Sequence, residues 1–367
     1  MVIVLQILTG ILVVATLLPM SRAKVWWVRG LDFPRTQIAA LAAIVFAVYL
    51  LVGELNDGVR WIGAVLCALV CIYQAWWIWS FTPLHSREVA RSRPEPGQPR
   101  LRVLTANVLM TNRRAEALVA IVREERPDVL LTLETNRWWQ DQLAVLKDEL
   151  PHTLSAPSDN LYGMNLYSRW PLEDPKVQFL VEPDKPSMHT CVVLPSGEQV
   201  RLACLHPAPP SPTENEESTE RDAELILVAR TLTNETRPTI VAGDLNDVAW
   251  SRTTRLFRKI SGMLDPRVGR GLFNTFHASY PFLRWPVDHF FHSRHFTLVE
   301  LRRLRAFGSD HFPVLIELAL TQGQANEEGL PAEEEDVREA REETAAAPAS
   351  PSDVHVPGRN QRGEGAS

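Results

Sequence analysis

The run VAGDLND at residues 241–247 ends a short apolar segment in two acids and an amide. Alternate side chains of an extended chain point the same way, so Asp244 and Asn246 share one side. One of them can orient or deprotonate a water molecule, and the other can donate a hydrogen bond to a phosphoryl oxygen. A turn rich in Asp and Asn, with no catalytic role, is the alternative interpretation.

Four other apolar runs carry polar residues at one end in the same way. Strand ends that are distant in sequence can meet at one edge of a sheet and build a single site. Acids, amides and imidazoles together suit a divalent metal ion and a phosphate ester. The residues are Asn107 after LRVLTA, Glu134 after DVLLTL, His206 after RLACL, and Asp310 and His311 before FPVLIEL.

Three of these residues are candidate metal ligands. Glu134 directly follows a strand-like run and offers the hard oxygen atoms that Mg²⁺ and Mn²⁺ prefer. A helix cap or a surface charge is its alternative role. Asp310 is a second candidate acid, with a loop cap as its alternative, and Asn107 is a third candidate, with a turn amide as its alternative. The predicted cofactor is Mg²⁺, or Mn²⁺ in its place.

Two histidines are candidates for proton transfer or charge stabilisation. His311 titrates near working pH, so it can act as a general base or as a phosphate-stabilising imidazolium. Asp288, within RWPVDHFF, is predicted to orient His311 through a ring N–H, and an ordinary strand-end acid is its alternative role. His206 precedes Pro207, where strand pairing ends, and a structural histidine is its alternative role.

The first 85 residues are predicted to form a membrane domain with three transmembrane helices. The stretches 1–20, 36–53 and 61–84 contain no charged residue, and each has 18 or more residues. That length crosses a hydrocarbon core of about 30 Å. A cleaved signal peptide is the alternative for the first stretch, which lacks the basic n-region of such a peptide. A buried soluble hairpin is the alternative for the other two.

Basic residues cluster in two segments, 22–35 and 87–102, that are separated by two spans. The two segments therefore share a side of the membrane. The positive-inside rule makes that side, and with it the globular part of the chain, cytoplasmic.

Three further regions follow the membrane domain. Residues 86–99 are predicted to be an exposed linker, 100–320 a globular domain, and 321–367 a disordered acidic tail. The tail holds 11 acidic and 4 basic residues of a chain whose net charge is −6, so the remainder carries +1. That remainder lacks the concentrated basic face of a strong duplex binder. The run EEEDVREAREE can form a short charged helix, but it has no apolar face to hold one.

The globular region mixes helix and strand patterns. Helical spacing predicts helices over 113–125, 136–150 and about 214–232. Early αβ units and later hairpins predict an α+β domain with packed sheets and outer helices. The strands are predicted at 101–106, 128–133, 161–167, 177–181, 189–194, 200–205, 239–242, 287–292, 297–301 and 313–318.

The motifs together resemble one family. Their order and approximate spacing over residues 100–320 are similar to those of the endonuclease/exonuclease/phosphatase superfamily, which includes DNase I-like nucleases, abasic-site endonucleases, sphingomyelinases and inositol-phosphate phosphatases. The resemblance implies a four-layer α/β sandwich and divalent-metal-dependent phosphoester hydrolysis. The motifs are LRVLTANV, DVLLTLETN, YGMNLYSRWPL, CLHP, VAGDLND, RWPVDHFF and SDHFPVL.

The resemblance also implies roles for single residues. Glu134 resembles the principal metal ligand of the family, with Asn107 beside it, and Asp310 is similar to a second metal-associated acid.

The resemblance assigns the remaining candidates to catalysis. Asp244 resembles the residue that aligns or activates water, and Asn246 a phosphate-oxygen donor. His311, oriented by Asp288, is similar to the catalytic imidazole, and His206 resembles the second active-site histidine.

Two positions depart from the family pattern. Residues 164–167 read MNLY where a more apolar run is usual, and Leu205 stands where Thr is frequent. The membrane-anchored arrangement resembles a bacterial branch that includes glycopeptide-resistance membrane proteins. Some of those place this domain outside the cell, which is opposite to the topology that the charges predict.

The function predicted from these observations is a membrane-tethered, metal-dependent phosphoester hydrolase whose substrate is a lipid-linked phosphate or a phospholipid. No protein partner is predicted. A nuclease acting on DNA or RNA is the first alternative, with arginines at 252, 255 and 258 or at 302, 303 and 305 as backbone contacts. A non-catalytic membrane scaffold is the second.

Overall fold

The computed structural model describes residues 2–52, 57–93, 95–321, 326 and 329–358. Residue 53 at the end of the second expected span, residues 54–56 of the following loop, residue 94 of the expected linker, and residues 322–325, 327–328 and 359–367 of the expected tail lie outside them. The α-helices are α1 (Val2–Leu17), α2 (Trp26–Arg29), α3 (Arg35–Leu51), α4 (Asp57–Ile78), α5 (Ala115–Glu125), α6 (Arg137–Leu143), α7 (Thr219–Leu232), α8 (Arg252–Ser261) and α9 (Glu334–Thr344). The strands are β1 (Arg100–Asn107), β2 (Val129–Leu133), β3 (His152–Ala156), β4 (Met164–Ser168), β5 (Leu172–Gln178), β6 (Ser187–Val193), β7 (Gln199–Cys204), β8 (Thr239–Asp244), β9 (Asp288–His292), β10 (Phe296–Arg303) and β11 (Val314–Leu320).

The strands form two sheets. One has six strands in the order β10-β11-β1-β2-β4-β3, and the other has five in the order β5-β6-β7-β8-β9. Each sheet contains one parallel pair, β1 with β2 and β7 with β8. Strands of a parallel pair end at the same edge, so each sheet brings two carboxyl ends together there.

The two sheets pack face to face. Val103 and Leu131 of the six-stranded sheet, and Leu202 and Ile240 of the five-stranded sheet, are buried in the core between them. Helices α5 and α6 cover the outer face of the first sheet, and α7 and α8 cover the outer face of the second. The predicted four-layer α/β sandwich is therefore confirmed.

Helices α1, α3 and α4 pack together and present apolar side chains outward, Ile44 and Leu69 among them. Two helices, Val2–Met20 and Gly58–Phe81, are long and apolar enough to cross a membrane. Helix α3 has 17 residues and gives a third span only together with Trp26–Asp32, from which it is bent by 69°. Two of the three predicted spans therefore have the required length by themselves.

The predicted exposed linker is packed against the sandwich where the structure describes it. Val89 is buried in the core, and Glu88 forms an ion pair with Arg258 at 2.5 Å. The Ser92 N–H donates to the Leu298 carbonyl at 2.8 Å. Most described residues of 86–99 are exposed as expected, and these contacts fix the segment to the sandwich at a few points.

The expectation of a wholly disordered tail is wrong at α9. A capping box starts this helix. Glu343 pairs with Lys24 at 2.5 Å, and Asp336 pairs with Lys259 at 2.7 Å. Ala340 is buried against the cluster formed by α7 and α8. The helix is held by partners far away in sequence, and these do not show in its own composition.

Other element boundaries differ from the predictions. The helix expected over 136–150 is the shorter α6 followed by a 3-10 turn, Ala144–Leu146. Strand β5 begins five residues before the strand expected at 177–181 and overlaps its start. Strand β3 and helix α8 were not predicted. Helix α8 begins after Ser251, whose hydroxyl accepts the Thr254 N–H.

Candidate active site

Five predicted site residues come together at one end of the two sheets. Asn107 ends β1, and Glu134 directly follows β2, its parallel neighbour. In the other sheet Asp244, at the end of β8, is paired with Asp288, at the start of β9. His311 lies in the loop before β11. The site is therefore built across both sheets.

Asn107 links the acids of the two sheets. Its Nδ2 donates to Glu134 Oε1 at 2.8 Å and to Asp244 Oδ2 at 3.3 Å. The Ser309 hydroxyl donates to the Asn107 carbonyl at 2.8 Å and accepts the His311 N–H at 3.0 Å. Ser309 was not singled out from the sequence, although it stands in the SDH motif and fixes that loop to β1.

His311 lies between two carboxylates. Its Nδ1 is 2.9 Å from Asp288 Oδ2, and its Nε2 is 3.6 Å from Asp244 Oδ2. All three side chains are buried. The structure thus places Asp288 where it was predicted to orient the ring.

The charges of this group are interdependent. Burial alone would lower the pKa of His311, but Asp288 and Asp244 raise it to about 10. Burial would raise the pKa of Asp288, yet His311 holds it below its usual value. Burial and the neighbouring Asp288 raise the pKa of Asp244. The arrangement favours an imidazolium beside one ionised and one readily protonated carboxyl group.

His206 is buried beside an aromatic residue from another loop. Burial lowers its pKa to about 3, and the positive charge of His311 contributes, so the ring is neutral. Its centroid lies 5.1 Å from that of Tyr162, and Lys185 Nζ lies 4.1 Å from the Tyr162 ring. Tyr162 begins the YGMNLYSRWPL motif but was given no role there, and Lys185 lies in no motif, because an isolated loop residue forms no pattern.

The loop that carries Asn246 is fixed by its neighbours. The Asn246 backbone has φ 50°, and its N–H donates to Asp244 Oδ1 at 2.9 Å. Its Nδ2 donates one hydrogen to the Pro207 carbonyl at 3.0 Å, which leaves the second N–H of that amide for a ligand. The buried Arg221 donates to the Asn246 carbonyl at 2.8 Å. Arg221 is a positioning residue that the sequence did not reveal.

Gly243 allows the ends of β7 and β8 to approach. Its φ is 147°, and a Cβ atom there would lie 1.9 Å from the Leu205 carbonyl oxygen. This glycine lies within β8, one residue before Asp244. Its role is the close backbone contact that brings His206 towards Asp244.

The predicted metal ligands fit a divalent cation. Among the described residues, the Glu134 and Asp310 carboxylates form no ion pair with Lys or Arg. Burial raises the pKa of Glu134, and the hydrogen bond from Asn107 offsets this only in part, while the charge of Asp310 adds to it. A bound cation would supply the missing positive charge. Asn107, Glu134 and Asp310 are therefore a suitable set of oxygen donors.

A second set of possible ligand atoms overlaps the proton-sharing group. Asp244, Asp288 and His311 each offer one atom, and these lie within 4.8 Å of one another. The contacts of the ring with both carboxylates account for this closeness. The same three residues are the candidates for proton transfer, and Asn107, Glu134 and Asp310 remain the predicted metal ligands.

An apolar groove opens beside the candidate catalytic residues. It has a volume of about 490 Å³ and starts at His311 and Asn246. Its walls include Phe33 of the N-terminal segment and Trp285 of the sandwich, whose ring centroids lie 5.8 Å apart. Trp26 also lines the groove. The groove thus extends from the site to the segment that joins the first two apolar helices.

The arginines considered for nucleic-acid binding are largely engaged within the chain. Each has an acidic or aromatic neighbour, so they do not form a free cationic face on the described surface. The pairs are Arg252–Glu339, Arg258–Glu88, Arg302–Glu125 and Arg305–Glu124, with Arg255 over Trp76 and Arg303 over Phe312.

Comparisons with known proteins agree with this architecture. The model of the Endonuclease/Exonuclease/phosphatase family matches residues 104–311. An endonuclease/exonuclease/phosphatase from Beutenbergia cavernae is 20% identical, covers 65% of this chain and 76% of its own, and has a TM-score of 0.51. A humanized D. rerio TDP2 is 18% identical, covers 60% and 98%, and has a TM-score of 0.49. The human Nocturnin catalytic domain is 15% identical, covers 61% and 96%, and has a TM-score of 0.48. No curated protein matches the chain.

Proposed function

The chain belongs to the endonuclease/exonuclease/phosphatase family, and from this premise we propose that it hydrolyses a phosphate ester of a membrane lipid. Its enzyme class is that of the family, a metal-dependent hydrolase of phosphoester bonds. The finer assignment makes it a membrane-tethered enzyme whose substrate is a lipid-linked phosphate or a phospholipid. The observation that carries this assignment is the apolar groove between the catalytic residues and the N-terminal helices.

The side chains of the site suit an in-line attack by water. Glu134, with Asn107 and Asp310, would hold a divalent cation, which would supply neutralisation of the charge on a phosphoryl oxygen. Asp244 accepts the proton of the attacking water. His311, held by Asp288, donates to the phosphate.

Two neutral donors complete the proposed site. The free N–H of Asn246 and the ring of His206 donate hydrogen bonds to phosphoryl oxygens, where charge increases in the transition state.

The groove gives the lipid substrate a physical basis. A phosphate at His311 has an apolar channel beside it, so an attached alkyl chain leaves water as the phosphate binds. Nucleic-acid substrates need aligned cationic contacts instead. The engagement of these arginines by acids and aromatic rings therefore favours the lipid.

A substrate panel tests the proposal. The full chain in detergent is assayed with Mg²⁺ and with Mn²⁺ on long-chain lipid phosphates, phospholipids, a small soluble phosphodiester and plasmid DNA. We expect turnover of a long-chain substrate to exceed that of the soluble ester. Nicking of DNA with no lipid turnover would replace the proposal by the nuclease alternative, and no turnover of any ester would favour the scaffold.

Gly30 offers a direct test of the groove. It lines the groove, and a Cβ atom there meets no atom within 4 Å. We expect Gly30→Phe to fill the channel, raising KM for long-chain substrates and leaving the soluble ester unaffected. Gly10→Phe is the matched control, since Gly10 also faces open space but lies in α1. Equal lipid kinetics for both variants would argue against the groove.

The metal assignment has a readout that is independent of turnover. If Mn²⁺ binds the folded chain and not the unfolded chain, it raises the melting temperature of the protein. We expect Glu134→Ala to abolish both this rise and the activity. His311→Ala is expected to abolish the activity and keep the Mn²⁺ stabilisation. Stabilisation by Mn²⁺ in the Glu134 variant would contradict the ligand role.

We also propose a multi-pass location in the cell membrane. The basic segment after α1 favours the cytoplasmic side for the catalytic domain, whereas the resemblance to the resistance proteins favours the outer side. Ser196, in the exposed β6–β7 turn, is a suitable labelling position to distinguish the cytoplasmic from the outer location. Labelling of Ser196→Cys in intact cells by an impermeant thiol reagent would show an outer location, and its protection a cytoplasmic one.

A further inference from the structure

A hairpin beside the site, residues 275–285, presents large apolar side chains to solvent. Phe282 is 88% exposed, Tyr280 56% and Leu283 49%. At the base of the hairpin, Phe276 pairs with Trp285. At its tip, the Leu283 N–H donates a hydrogen bond to the Tyr280 carbonyl at 3.1 Å. An ordered turn that exposes three neighbouring apolar residues marks an interaction surface.

The tip lies at the end of an apolar helix. Gln37 Nε2 donates to the Phe282 carbonyl at 2.8 Å. Gln37 is in the first turn of α3, and later turns of this helix expose Ile44 and Leu51. The tip is therefore level with the domain-side end of α3, where a membrane helix enters the headgroup region.

The base of the hairpin is joined to the catalytic residues. The Ala278 N–H donates to the Asp310 carbonyl at 2.6 Å. The Phe276 ring centroid lies 4.9 Å from that of His311, and Phe276 and Trp285 also line the apolar groove. The hairpin thus connects the level of the α3 terminus with the mouth of the groove.

We propose that the tip of the hairpin, at Tyr280, Phe282 and Leu283, inserts into the interface of the bilayer that the N-terminal helices occupy. The inference rests on the proposed function in treating those helices as membrane spans. Aromatic and aliphatic side chains at this level leave water for the headgroup region, where aromatic rings are favoured. Insertion places the groove mouth at the lipid surface, so a lipid phosphate reaches His311 with its chain still out of water.

A fluorescent probe at the tip tests the insertion without reference to turnover. The full chain carrying Cys71→Ser, which removes the one half-buried native thiol, receives Phe282→Cys and an environment-sensitive label. In vesicles of phosphatidylcholine and phosphatidylglycerol we expect blue-shifted emission and quenching by brominated lipids. Ser196→Cys, at the opposite end of the sheet from the site, is the matched control and should stay water-like. Water-like emission from the label at position 282 overturns the proposal. If the tip binds a protein partner and not lipid, the label should also show water-like emission, because the vesicles contain no other protein.

A kinetic comparison completes the test. We expect the combined change Tyr280→Ser, Phe282→Ser and Leu283→Ser to lower turnover of a long-chain phosphate ester in vesicles and leave the soluble ester unchanged. Unchanged vesicle turnover would overturn the role of the tip in substrate access. If the label shows blue-shifted emission but the chain hydrolyses no lipid, insertion of the tip is supported and the lipid substrate is refuted. Failure of the insertion and failure of the proposed function are therefore distinguishable.

Discussion

His311 depends for its orientation and charge on the carboxylate of Asp288. The Asp288→Asn variant keeps the shape of this contact but removes the charge that stabilises an imidazolium. We expect kcat on the soluble ester to fall by about 10²–10⁴-fold, with a smaller change in KM. The pH profile of kcat should show the limb due to His311 displaced to lower pH, because the pKa of the ring falls when Asp288 loses its charge. Asp148→Asn, at an exposed acid, is the control, and an unchanged profile in the Asp288 variant would contradict the positioning role.

Glu224 gives the stability of the fold a pH dependence outside the site. It is fully buried in α7, and burial raises its pKa from 4.5 to about 8, with the charge of Glu182 contributing. Between these two values the unfolded chain releases a proton that the folded chain retains. Stability therefore falls as pH rises through that window, by at most about 1.4 kcal/mol per pH unit. We expect Glu224→Gln to raise the melting temperature relative to the unaltered chain, with a difference that grows from pH 5 to pH 8. Glu116→Gln, at an exposed helix position, should show no such growth.

The sequence could place some of the site residues and not others. Asn107, Glu134 and Asp244 follow apolar strands, so the strand pattern itself fixes their position at a sheet edge. Arg221 and Tyr162 act through contacts with distant loops, and nothing in their own segments marks those contacts. Strand ends were therefore predictable, whereas the residues that orient them required the three-dimensional structure.

Helix α9 shows how an element can be stabilised by partners that its own sequence does not reveal. Ala340 is its buried apolar residue, packed against the cluster of α7 and α8. A carboxylate there would be buried without a partner, at a cost of about 1–3 kcal/mol. We expect Ala340→Asp to lower the melting temperature and to make α9 sensitive to proteolysis. Ala346→Asp, at an exposed position just beyond the helix, is the matched control, and equal melting temperatures of both variants would show that α9 adds little to the fold.

The elements of the sandwich differ in how readily the sequence predicts them. Strands β1, β2 and β8 are buried on both faces, so their continuous apolar runs were recognised. Strand β3 has the half-exposed sequence HTLSA, which gives no such run. Helix α8 buries only three large apolar residues, Leu256, Phe257 and Ile260, among several charged ones, and was not recognised. For these strands, burial on both faces produced the recognisable apolar run that β3 lacks.

The N-terminal apolar helices and the sandwich form a joint packing unit. Phe81, at the end of the last apolar helix, and Trp250 of the sandwich are buried in one cluster with Val248. The Trp250 Nε1 donates to the Asp32 carbonyl at 2.8 Å. The sequence predicted a domain on an exposed linker, because composition shows where a segment turns polar but not what it packs against.

This joint packing predicts that the sandwich is weakened when it is separated from the helices. A chain that begins at residue 86 loses Phe81 and the Asp32 carbonyl and exposes Trp250. We expect a lower melting temperature than that of the full chain in the same detergent, together with loss of turnover on long-chain substrates, because the groove loses its Trp26 and Phe33 wall. The soluble ester should still be hydrolysed, since the candidate catalytic residues lie within the sandwich. Phe81→Ala in the full chain separates packing from anchoring: removal of this buried ring costs about 3–5 kcal/mol and keeps the groove wall. An equal melting temperature for the shortened and full chains would show that the helices serve only as an anchor.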